Sequence, residues 1–352
     1  FDVTCIDKDV AKIETINQGV MPIYEPGLAE LVARNINSGR LRFSNDLSAA
    51  VAQSDAVFIS VGTPTRRGDG HADLSFVYAA AEELAAHLSG YTVIVTKSTV
   101  PVGTGRKVAG IVEKANPDAN FDIVSNPEFL REGAAISDFM RPDRVIVGAE
   151  TEMARDVMRA LYRPLFLIET PILFTNLETS ELIKYASNAF LAVKISFINQ
   201  IADLCEVVGA DVHDVAKGMG LDNRIGNKFL HPGPGYGGSC FPKDTLALVK
   251  TAEIHGSNVS IVDAVIEFNQ NRKNKMADRV IAAIGGSVAD VSIAILGLAF
   301  KPETDDMRDS PSLDIISALT AMGAKLRVYD PKAMEESRPL LPYCVTFCDS
   351  AI

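Results

Sequence analysis

The fold is decided by residues 92–125, which read TVIVTKSTVPVGTGRKVAGIVEKANPDANFDIVS. An apolar run at residues 92–96 opens this segment, a helical pattern follows at residues 105–114, and a second apolar run lies at residues 123–125. The two runs lack the alternation of a half-exposed strand, which is typical of strands buried in a parallel sheet. Strand, helix and strand in this order predict an α/β doubly wound sheet.

The same alternation extends on both sides of this segment. Buried parallel strands are also predicted at residues 56–61 and 145–147, with a helix at residues 74–88. Residues 1–7 (FDVTCID) are predicted to form a short buried strand that ends in an acid, and a helix is predicted over residues 9–18. The first half of the chain therefore reads as one α/β domain.

The pattern changes after residue 174. Residues 178–208 contain neither proline nor glycine and place helix-forming residues at core-facing spacing. About 30 residues at 1.5 Å each make a helix of roughly 45 Å, which is longer than one small domain needs. We expect this helix to connect two domains. Its uncovered apolar residues predict a homodimer, because a symmetric partner can cover them.

These changes of pattern predict three domains. An α/β domain spans residues 1–175 and a helical domain spans residues 176–272. A second α/β unit at residues 273–352 rests on strands predicted at residues 292–296 and 326–329. Both α/β domains are expected to be incomplete, since the chain opens inside a strand and stops soon after the last one.

The composition excludes several classes of protein. Hydrophobic residues make up 47% of the chain and charged residues 22%, the usual mix of a globular protein with a large core. Lys+Arg 34 against Asp+Glu 45 gives a formal net charge of −11, which argues against nucleic acid because phosphate binding requires a basic surface. Five scattered cysteines predict reduced thiols in the cytoplasm and no metal site. No apolar run reaches about 18 residues, so no membrane span is expected.

The most informative stretch for chemistry is residues 233–244, GPGYGGSCFPKD. Glycines let the backbone approach a ligand closely, and Pro242 suits the first turn of a helix. Cys240 is then predicted at a helix N-terminus, where the helix dipole stabilises a thiolate. Asp244 would lie one turn further on the same face, where it could orient a water or accept a proton. A buried cysteine in a glycine turn is the alternative, and the glycines, the helix start and the acid favour a nucleophile.

Two pairs of side chains at i,i+4 spacing are further candidates. Glu128 and Glu132 follow a predicted strand, so both carboxylates would share one face at the carboxyl edge of the sheet if the segment is helical. The alternative is a solvated acidic face partly neutralised by Arg131. Lys184 and Asn188 repeat the spacing on the long helix and could stabilise a developing oxyanion, unless they are simply an exposed pair.

Asp7 is a candidate for nucleotide binding. It closes the first predicted strand, where a dinucleotide-binding unit places the acid that holds an adenosine ribose. Lys12 lies about one turn beyond it and could meet a phosphate or the adenine, whereas the alternative for Asp7 is a surface acid at a strand end. No glycine-rich loop precedes Asp7, and we expect those residues to lie before residue 1.

Three further residues are weaker candidates. Thr99 follows a predicted strand and offers a hydroxyl group. Arg224 and Arg308 could clamp phosphates, because a guanidinium group binds two phosphate oxygens at once. Each of them could equally be an ordinary surface group.

Five phrases occur in one order along the chain and together resemble the UDP-glucose/GDP-mannose dehydrogenase family. They are residues 23–27 (IYEPG), 98–101 (STVP), 126–133 (NPEFLREG), 237–244 (GGSCFPKD) and 297–301 (GLAFK). The resemblance implies an N-terminal Rossmann-like NAD-binding domain, a central all-helical dimerisation domain and a second Rossmann-like domain for the nucleotide sugar. It also implies NAD-dependent, four-electron oxidation of the sugar C6 alcohol to a carboxylate, with UDP-glucose as the expected substrate and UDP-glucuronate for polysaccharide synthesis as the product.

Alternatives remain open at this point. GDP-mannose or a UDP-N-acetylhexosamine could be the substrate, because sugar preference cannot be derived from spacing. A non-catalytic sensor of nucleotide sugars on the same fold is a different class of function. Cys240 argues against the sensor, which would not need an activated thiol.

The resemblance further implies roles for individual residues. Cys240 matches the nucleophile, which would hold the aldehyde as a thiohemiacetal and, after the second oxidation, as a thioester. Catalytic roles are also implied for Lys184, Asn188, Asp244, Glu128 and Thr99. Contacts with NAD are implied for Asp7, Lys12, Thr63, Thr99, Glu132, Lys243 and Arg308.

Substrate contacts are implied for a third set of residues. Arg224 matches a residue that reaches the substrate of the partner subunit, and residues 229–237 match the loop over the sugar nucleotide. The full set is Glu128, Phe129, Leu130, Lys184, Asn188, Arg224, Phe229, Tyr236, Gly237, Phe300 and Lys301.

Overall fold

The computed structural model describes residues 1–66, 70–166 and 168–351. The chain divides into two compact units, Phe1–Lys184 and Tyr185–Ile352. The last residue of the predicted third domain, Ile352, lies outside the described residues.

The first unit is an α/β domain with two sheets. Its elements in chain order are β1 (Val3–Ile6), α1 (Val10–Asn17), α2 (Leu28–Asn37), β2 (Leu41–Ser44), α3 (Leu47–Val51), β3 (Ala56–Ile59), α4 (Ser75–Ala85), β4 (Tyr91–Thr96), α5 (Thr104–Ala115), β5 (Asn120–Ser125), α6 (Ala135–Met140), β6 (Val145–Ala149), α7 (Glu152–Phe166) and β7 (Ile172–Thr175). The main sheet has the order β3-β4-β5-β6-β7, and β1 and β2 form a separate two-stranded parallel sheet.

The centre of the main sheet is buried on both faces. On β4, Ile94 packs into a cluster that includes Val77 of α4 and Val108 of α5. Its neighbours Val93 and Val95 point to the opposite face and join a second cluster with α7. Helices therefore cover both sides of the sheet, which confirms the predicted doubly wound arrangement.

Two predictions about the strands are wrong in part. The strand predicted at residues 145–147 is buried and runs parallel to β7, but β6 runs antiparallel to β5, with Val124 opposite Ala149. The connection between them carries only the short helix α6 rather than the full crossover helix that parallel neighbours usually need. The strand predicted to be buried at residues 1–7 is largely exposed, and Val3 is 47% exposed. A two-stranded sheet offers few neighbours to cover such a strand.

The long helix α8 (Leu177–Val208) confirms the helix predicted for residues 178–208. The boundary between the two units falls inside it, so Lys184 ends the first unit and Asn188 belongs to the second. Among the described residues, no helix combines the length and the apolar character that crossing a bilayer requires.

The second unit joins a helical part to a small sheet. After α8 its elements are α9 (Val212–Gly220), α10 (Phe241–Ile254), α11 (Ser260–Ile284), β8 (Ser292–Leu296), α12 (Pro311–Ala321), β9 (Lys325–Tyr329), α13 (Met334–Ser337) and β10 (Thr346–Phe347). One cluster packs Tyr185 and Ala189 of α8 against Leu248 of α10 and Val262 of α11. The strands form a parallel sheet in the order β10-β9-β8.

Candidate active site

Cys240 lies at the N-terminus of α10, as predicted. It is the N-cap residue of that helix, and Pro242 occupies the first turn. The Asp244 N–H donates a 2.8 Å hydrogen bond to the Cys240 carbonyl, so the cysteine and the acid lie one turn apart. The helix N-terminus carries a partial positive charge, which stabilises a thiolate at this position. The Ser239 Oγ lies 3.5 Å from the Cys240 Sγ.

Asp244 is a buried carboxylate with a donor on each oxygen. Asp244 is 1% exposed. Asn188 Nδ2 donates to Asp244 Oδ2 over 2.6 Å, and Lys243 Nζ donates to Asp244 Oδ1 over 2.6 Å. These bonds fix the orientation of the acid and connect the first turn of α10 to α8. Three of the predicted site residues are thus brought together beside Cys240.

The glycines before Cys240 are required by close packing. A Cβ on Gly238 would lie 2.7 Å from the Phe300 ring, and the φ angle of Gly238 is +84°. The Gly238 N–H donates to the Arg308 carbonyl over 2.8 Å. A Cβ on Gly237 would lie 2.2 Å from the Asp309 carbonyl oxygen. The loop that carries the cysteine therefore packs directly on the loop that carries two predicted ligand residues, Phe300 and Arg308.

An aromatic cluster adjoins Cys240. The rings of Phe229 and Tyr236 have their centroids 6.0 Å and 6.1 Å from that of Phe241. Phe229 has a φ of +62°, a conformation that is strained for a bulky residue. Tyr236 is held by Asn269, which accepts from the Tyr236 N–H and donates to the Tyr236 carbonyl. The predicted substrate residues Phe229 and Tyr236 thus flank the helix start.

Arg224 and Lys301 are less enclosed. The Arg224 side chain is 89% exposed and forms an ion pair with Asp222. The Lys301 Nζ lies 5.2 Å from the Phe300 ring centroid. Arg308 is bound by Asp306.

In the first unit, Lys184 and Glu128 form an ion pair over 3.3 Å. The Lys184 side chain is 4% exposed, and its ammonium group lies 5.1 Å from the centroid of the Phe129 ring. Arg144 lies 3.9 Å from the same centroid. Glu128 Oε2 also accepts a hydrogen bond from the Leu130 N–H. Four residues predicted to act on the substrate, Glu128, Phe129, Leu130 and Lys184, are therefore in contact.

The sequence predicts that Glu128 and Glu132 share one face if their segment is helical. Residues 126–133 are not helical. The buried Asn126 donates to the Ile146 carbonyl of β6 over 2.7 Å, which holds the chain extended. The Glu128 carboxylate takes the Leu130 N–H and stabilises a local turn instead of a helix. Glu25 binds the end of this segment by accepting from the N–H groups of Gly133 and Ala135. The two predicted carboxylates therefore do not share a helical face.

Four of the candidate NAD residues form two smaller groups. The Asp7 carboxylate lies at the carboxyl end of β1 and accepts from the Lys12 ammonium over 2.5 Å. This hydrogen bond, assisted by one from the Asp9 N–H, lowers the pKa of Asp7. An ionised carboxylate there fits the hydroxyl groups of an adenosine ribose. Thr63 is buried and its Oγ1 donates to the Thr99 carbonyl over 2.9 Å, so these two predicted residues meet.

Sequence reasoning missed a partly buried cation in this unit. Lys97 directly follows β4, and its Nζ donates to Asn126 Oδ1 over 3.2 Å. Burial lowers the pKa of Lys97 to about 8, with Glu128 opposing the shift and Lys184 adding to it. A lysine at the end of an apolar strand was the available signal, since lysine is almost never buried without a partner.

Comparison with known proteins places this geometry in a family. The NAD binding domain of the UDP-glucose/GDP-mannose dehydrogenase family matches residues 1–166. Its central domain matches residues 178–271, and its UDP binding domain matches residues 294–352. The chain belongs to the UDP-glucose/GDP-mannose dehydrogenase family. It is accordingly an NAD-dependent oxidoreductase, and the predictions of family, fold, enzyme class and cofactor are confirmed.

Individual relatives cover nearly the whole chain. A UDP-glucose 6-dehydrogenase of Rhizobium meliloti is 62% identical over 97% of this chain and 78% of its own length. The UDP-glucose 6-dehydrogenase TuaD of Bacillus subtilis is 51% identical over 96% of this chain and 73% of its own length. The solved structure of a UDP-glucose dehydrogenase from the archaeon Pyrobaculum islandicum has a TM-score of 0.94 at 41% identity, covering 99% of this chain and 80% of that one.

Proposed function

We propose that the protein oxidises UDP-glucose to UDP-glucuronate with NAD, through intermediates bound covalently to Cys240. The observation that carries this proposal is the position of Cys240 at the start of α10, one turn from the buried acid Asp244. The choice of UDP-glucose rests on the similarity to the two UDP-glucose 6-dehydrogenases described above. NAD, when bound, accepts a hydride from the sugar C6 at each of the two oxidations.

The residues proposed to hold NAD fit a dinucleotide. Asp7 offers an ionised carboxylate for the ribose hydroxyl groups, and Lys12 supplies a neighbouring positive charge. Thr63 and Thr99 lie together after adjacent strands of the main sheet, at the carboxyl edge where such folds bind ligands. The remaining proposed contacts are Glu132, Lys243 and Arg308.

Cys240 performs the covalent step. Its thiolate adds to the aldehyde carbon, and the new C–S bond gives a thiohemiacetal that retains the reactive aldehyde. After the second oxidation the same bond is that of a thioester. Water then attacks the carbonyl carbon, the C–S bond breaks, and the thiolate leaves with the carboxylate as product. Covalent capture thus joins two oxidations in one site.

The stabilisation of charge and the transfer of protons are assigned to individual residues. Lys184 and Asn188 are proposed to stabilise the negative charge that develops on the sugar oxygen. Glu128 is proposed as the base for thioester hydrolysis, and Asp244 is proposed to orient the attacking water. Thr99 and Glu132 are proposed to assist them.

Substrate binding is proposed for the residues that flank these groups. Phe129 and Leu130 adjoin Glu128, while Phe229, Tyr236 and Gly237 adjoin the start of α10. Phe300 and Lys301 belong to the loop packed on Gly238. The exposure of Arg224 supports its proposed role toward the substrate of a partner subunit.

A homodimer through α8 is part of the proposal. Phe190, Phe197 and Leu204 are 65%, 44% and 55% exposed. Their spacing of seven residues places them along one stripe of the helix, and such a stripe is typical of a helix that packs against a partner. A second copy of this chain supplies a matching stripe by symmetry.

The three-domain division at residues 1–175, 176–272 and 273–352 also remains a proposal. A cytoplasmic location is proposed as well, supported by five cysteines that are scattered along the chain.

The test is the stoichiometry of NADH formation. The purified protein is mixed with NAD and limiting UDP-glucose, and NADH absorbance and UDP-glucuronate are measured at completion. Two NADH and one UDP-glucuronate per sugar are expected. One NADH per sugar would show that oxidation stops at the aldehyde. GDP-mannose and UDP-N-acetylglucosamine are tested in parallel, and a higher kcat/KM for either would overturn the substrate assignment. No NADH from any of the three would indicate a sensor.

A further inference from the structure

Lys97, which is partly buried, forms a polar network with the buried residues Asn126 and Tyr162. Lys97 Nζ donates to Asn126 Oδ1 over 3.2 Å and to the Tyr162 hydroxyl over 3.4 Å. The Tyr162 hydroxyl donates to the same Asn126 oxygen, and Asn126 Nδ2 donates to the Ile146 carbonyl. Asn126 is 0% exposed and Tyr162 is 8% exposed. Contacts from α7 and from the end of β5 therefore hold the Lys97 ammonium in one place.

The network adjoins the proposed base. Asn126 is separated from Glu128 only by Pro127, so the residue that anchors Lys97 also begins the segment that carries the carboxylate. The charged groups that act on Lys97 are Glu128, which favours the ammonium form, and Lys184 of α8, which disfavours it. Arg144 is the further cation in this region, stacked on Phe129. Several cations thus lie near Glu128, and Lys184 forms an ion pair with it.

The proposed reaction requires Lys184 to interact with two different groups. In the ion pair it neutralises Glu128, whereas during oxidation it must face the sugar oxygen. A half-buried carboxylate that loses its counter-ion becomes easier to protonate, and a protonated Glu128 cannot act as a base. Lys97 cannot follow Lys184, because Asn126 and Tyr162 hold its ammonium group. Its charge remains when that of Lys184 is engaged elsewhere.

We propose that Lys97 is a positioning residue for Glu128: its ammonium group, fixed by Asn126 and Tyr162, keeps a positive charge near the Glu128 carboxylate while Lys184 binds the sugar oxygen. This inference rests on the proposed function. Its effect falls on thioester hydrolysis, because that is the step assigned to Glu128. Burial and the nearby Lys184 lower the pKa of Lys97 to about 8, so its ammonium group stays charged over the acid part of the pH range that the test covers.

The test is the pH dependence of hydrolysis in Lys97→Met. Single-turnover reactions are run at several pH values between pH 5 and pH 9 and are quenched at intervals. The thioester that remains on the protein is then measured by intact mass. The pH–rate profile of hydrolysis has an acid limb, where the rate falls as the pH is lowered. In Lys97→Met the midpoint of this limb should lie about one pH unit or more higher than in the wild type, since a neighbouring opposite charge typically lowers a carboxyl pKa by 1–3 units. The first burst of NADH should slow less than hydrolysis does. Lys107→Met, which removes an exposed lysine on α5, should match the wild type.

Further variants keep the test decisive. Lys97→Arg, which retains a charge, should move the acid limb less than Lys97→Met. If Lys97→Met does not fold, Tyr162→Phe removes one anchor of the ammonium group and should shift the limb in the same direction by less. If the hydrolysis rate falls at the same pH in the wild type and in the folded variants, the proposed role of Lys97 is overturned. A wild type that makes no NADH from UDP-glucose would instead overturn the proposed function.

Discussion

Asn188 Nδ2 donates a 2.6 Å hydrogen bond to Asp244 Oδ2, across 56 residues of sequence. The bond joins α8 to the first turn of α10, the helix that Cys240 caps. Asp244 is 1% exposed, so no water can readily replace a lost donor. The relationship explains how the part of α8 that lies in the second unit fixes the acid beside the proposed nucleophile.

Asn188→Ala should therefore weaken both stability and turnover. The Asp244 oxygen would lose its donor in a buried place, which typically costs about 1–3 kcal/mol in the free energy of unfolding. Urea denaturation measures that loss, and NADH formation measures the accompanying fall in kcat. Asn274→Ala is the matched control, because Asn274 is exposed and accepts a hydrogen bond from Gln270 at the surface. Equal stability and kcat in both variants would contradict the role assigned to Asn188.

Gly238→Ala should disrupt the loop before Cys240. The new methyl group would lie 2.7 Å from the Phe300 ring, at a φ of +84° that an alanine rarely adopts. We expect a loss of about 1–3 kcal/mol in unfolding free energy and a strong fall in kcat. Gly110→Ala on α5 is the control, since nothing lies within 4 Å of its added Cβ. Phe300→Leu combined with Gly238→Ala should recover part of the stability, and equal effects of the two alanines would refute the packing argument.

Glu181 predicts a dependence of stability on pH. Its carboxylate accepts 2.7 Å bonds from the N–H groups of Gly103 and Gly105, and burial raises its pKa from 4.5 to about 7. The folded protein thus holds this proton at a pH where the unfolded chain has released it. The contribution to stability is complete below pH 4.5 and falls by about 3 kcal/mol as the pH rises through 7.

Chemical denaturation at several pH values tests this prediction. Glu181→Gln should flatten the fall in unfolding free energy between pH 5 and pH 7, because glutamine does not titrate. Glu113→Gln is the control, since it removes an exposed carboxylate on α5. A slope that Glu181→Gln leaves unchanged would show that another group is responsible.

The stripe on α8 predicts the oligomeric state. A wild-type dimer is expected, and Phe197→Glu should give a monomer because a charge would be buried against the same stripe of the partner. Light scattering at micromolar concentration distinguishes the two. Met153→Glu, at an exposed position on α7, should remain dimeric. A monomeric wild type would contradict both the dimer and the proposed role of Arg224.

Much of the fold follows from local sequence. The apolar run on β4 lacks alternation because Ile94 and its neighbours are buried on opposite faces, and this is visible without any partner strand. The helix α8 follows from a stretch without proline or glycine. The placement of Cys240 follows from Pro242 and the glycines, since both restrict the backbone locally.

What could not be predicted depends on distant contacts. The antiparallel direction of β6 is set by the connection from residue 126 to residue 144, whose path no periodicity reveals. Residues 126–133 avoid a helix because Asn126 binds the Ile146 carbonyl, a partner on another strand. Lys97 shows its importance only once Asn126 and Tyr162 are seen around it.

Lys184→Ala and Glu128→Gln should separate the roles of these two partners. Removing a donor that stabilises a developing oxyanion typically costs about 10²–10³ in rate, so Lys184→Ala should slow the first hydride transfer. Glu128→Gln should retain a comparatively fast first turnover and then stop. Stopped-flow NADH absorbance measures both. Equal loss of the first burst in the two variants would show that the roles are wrongly assigned.

The central claim is that oxidation proceeds through a thioester on Cys240. The most direct measurement is the intact mass of Glu128→Gln, quenched in acid after mixing with UDP-glucose and NAD, followed by peptide mapping. We expect one oxidised sugar nucleotide per chain, attached to the peptide that contains Cys240, and no thioester in Cys240→Ser. The other four cysteines should carry no adduct, and each should tolerate alanine. Sustained turnover by Cys240→Ser, or a Glu128→Gln protein that carries no adduct and forms no NADH, would contradict the account.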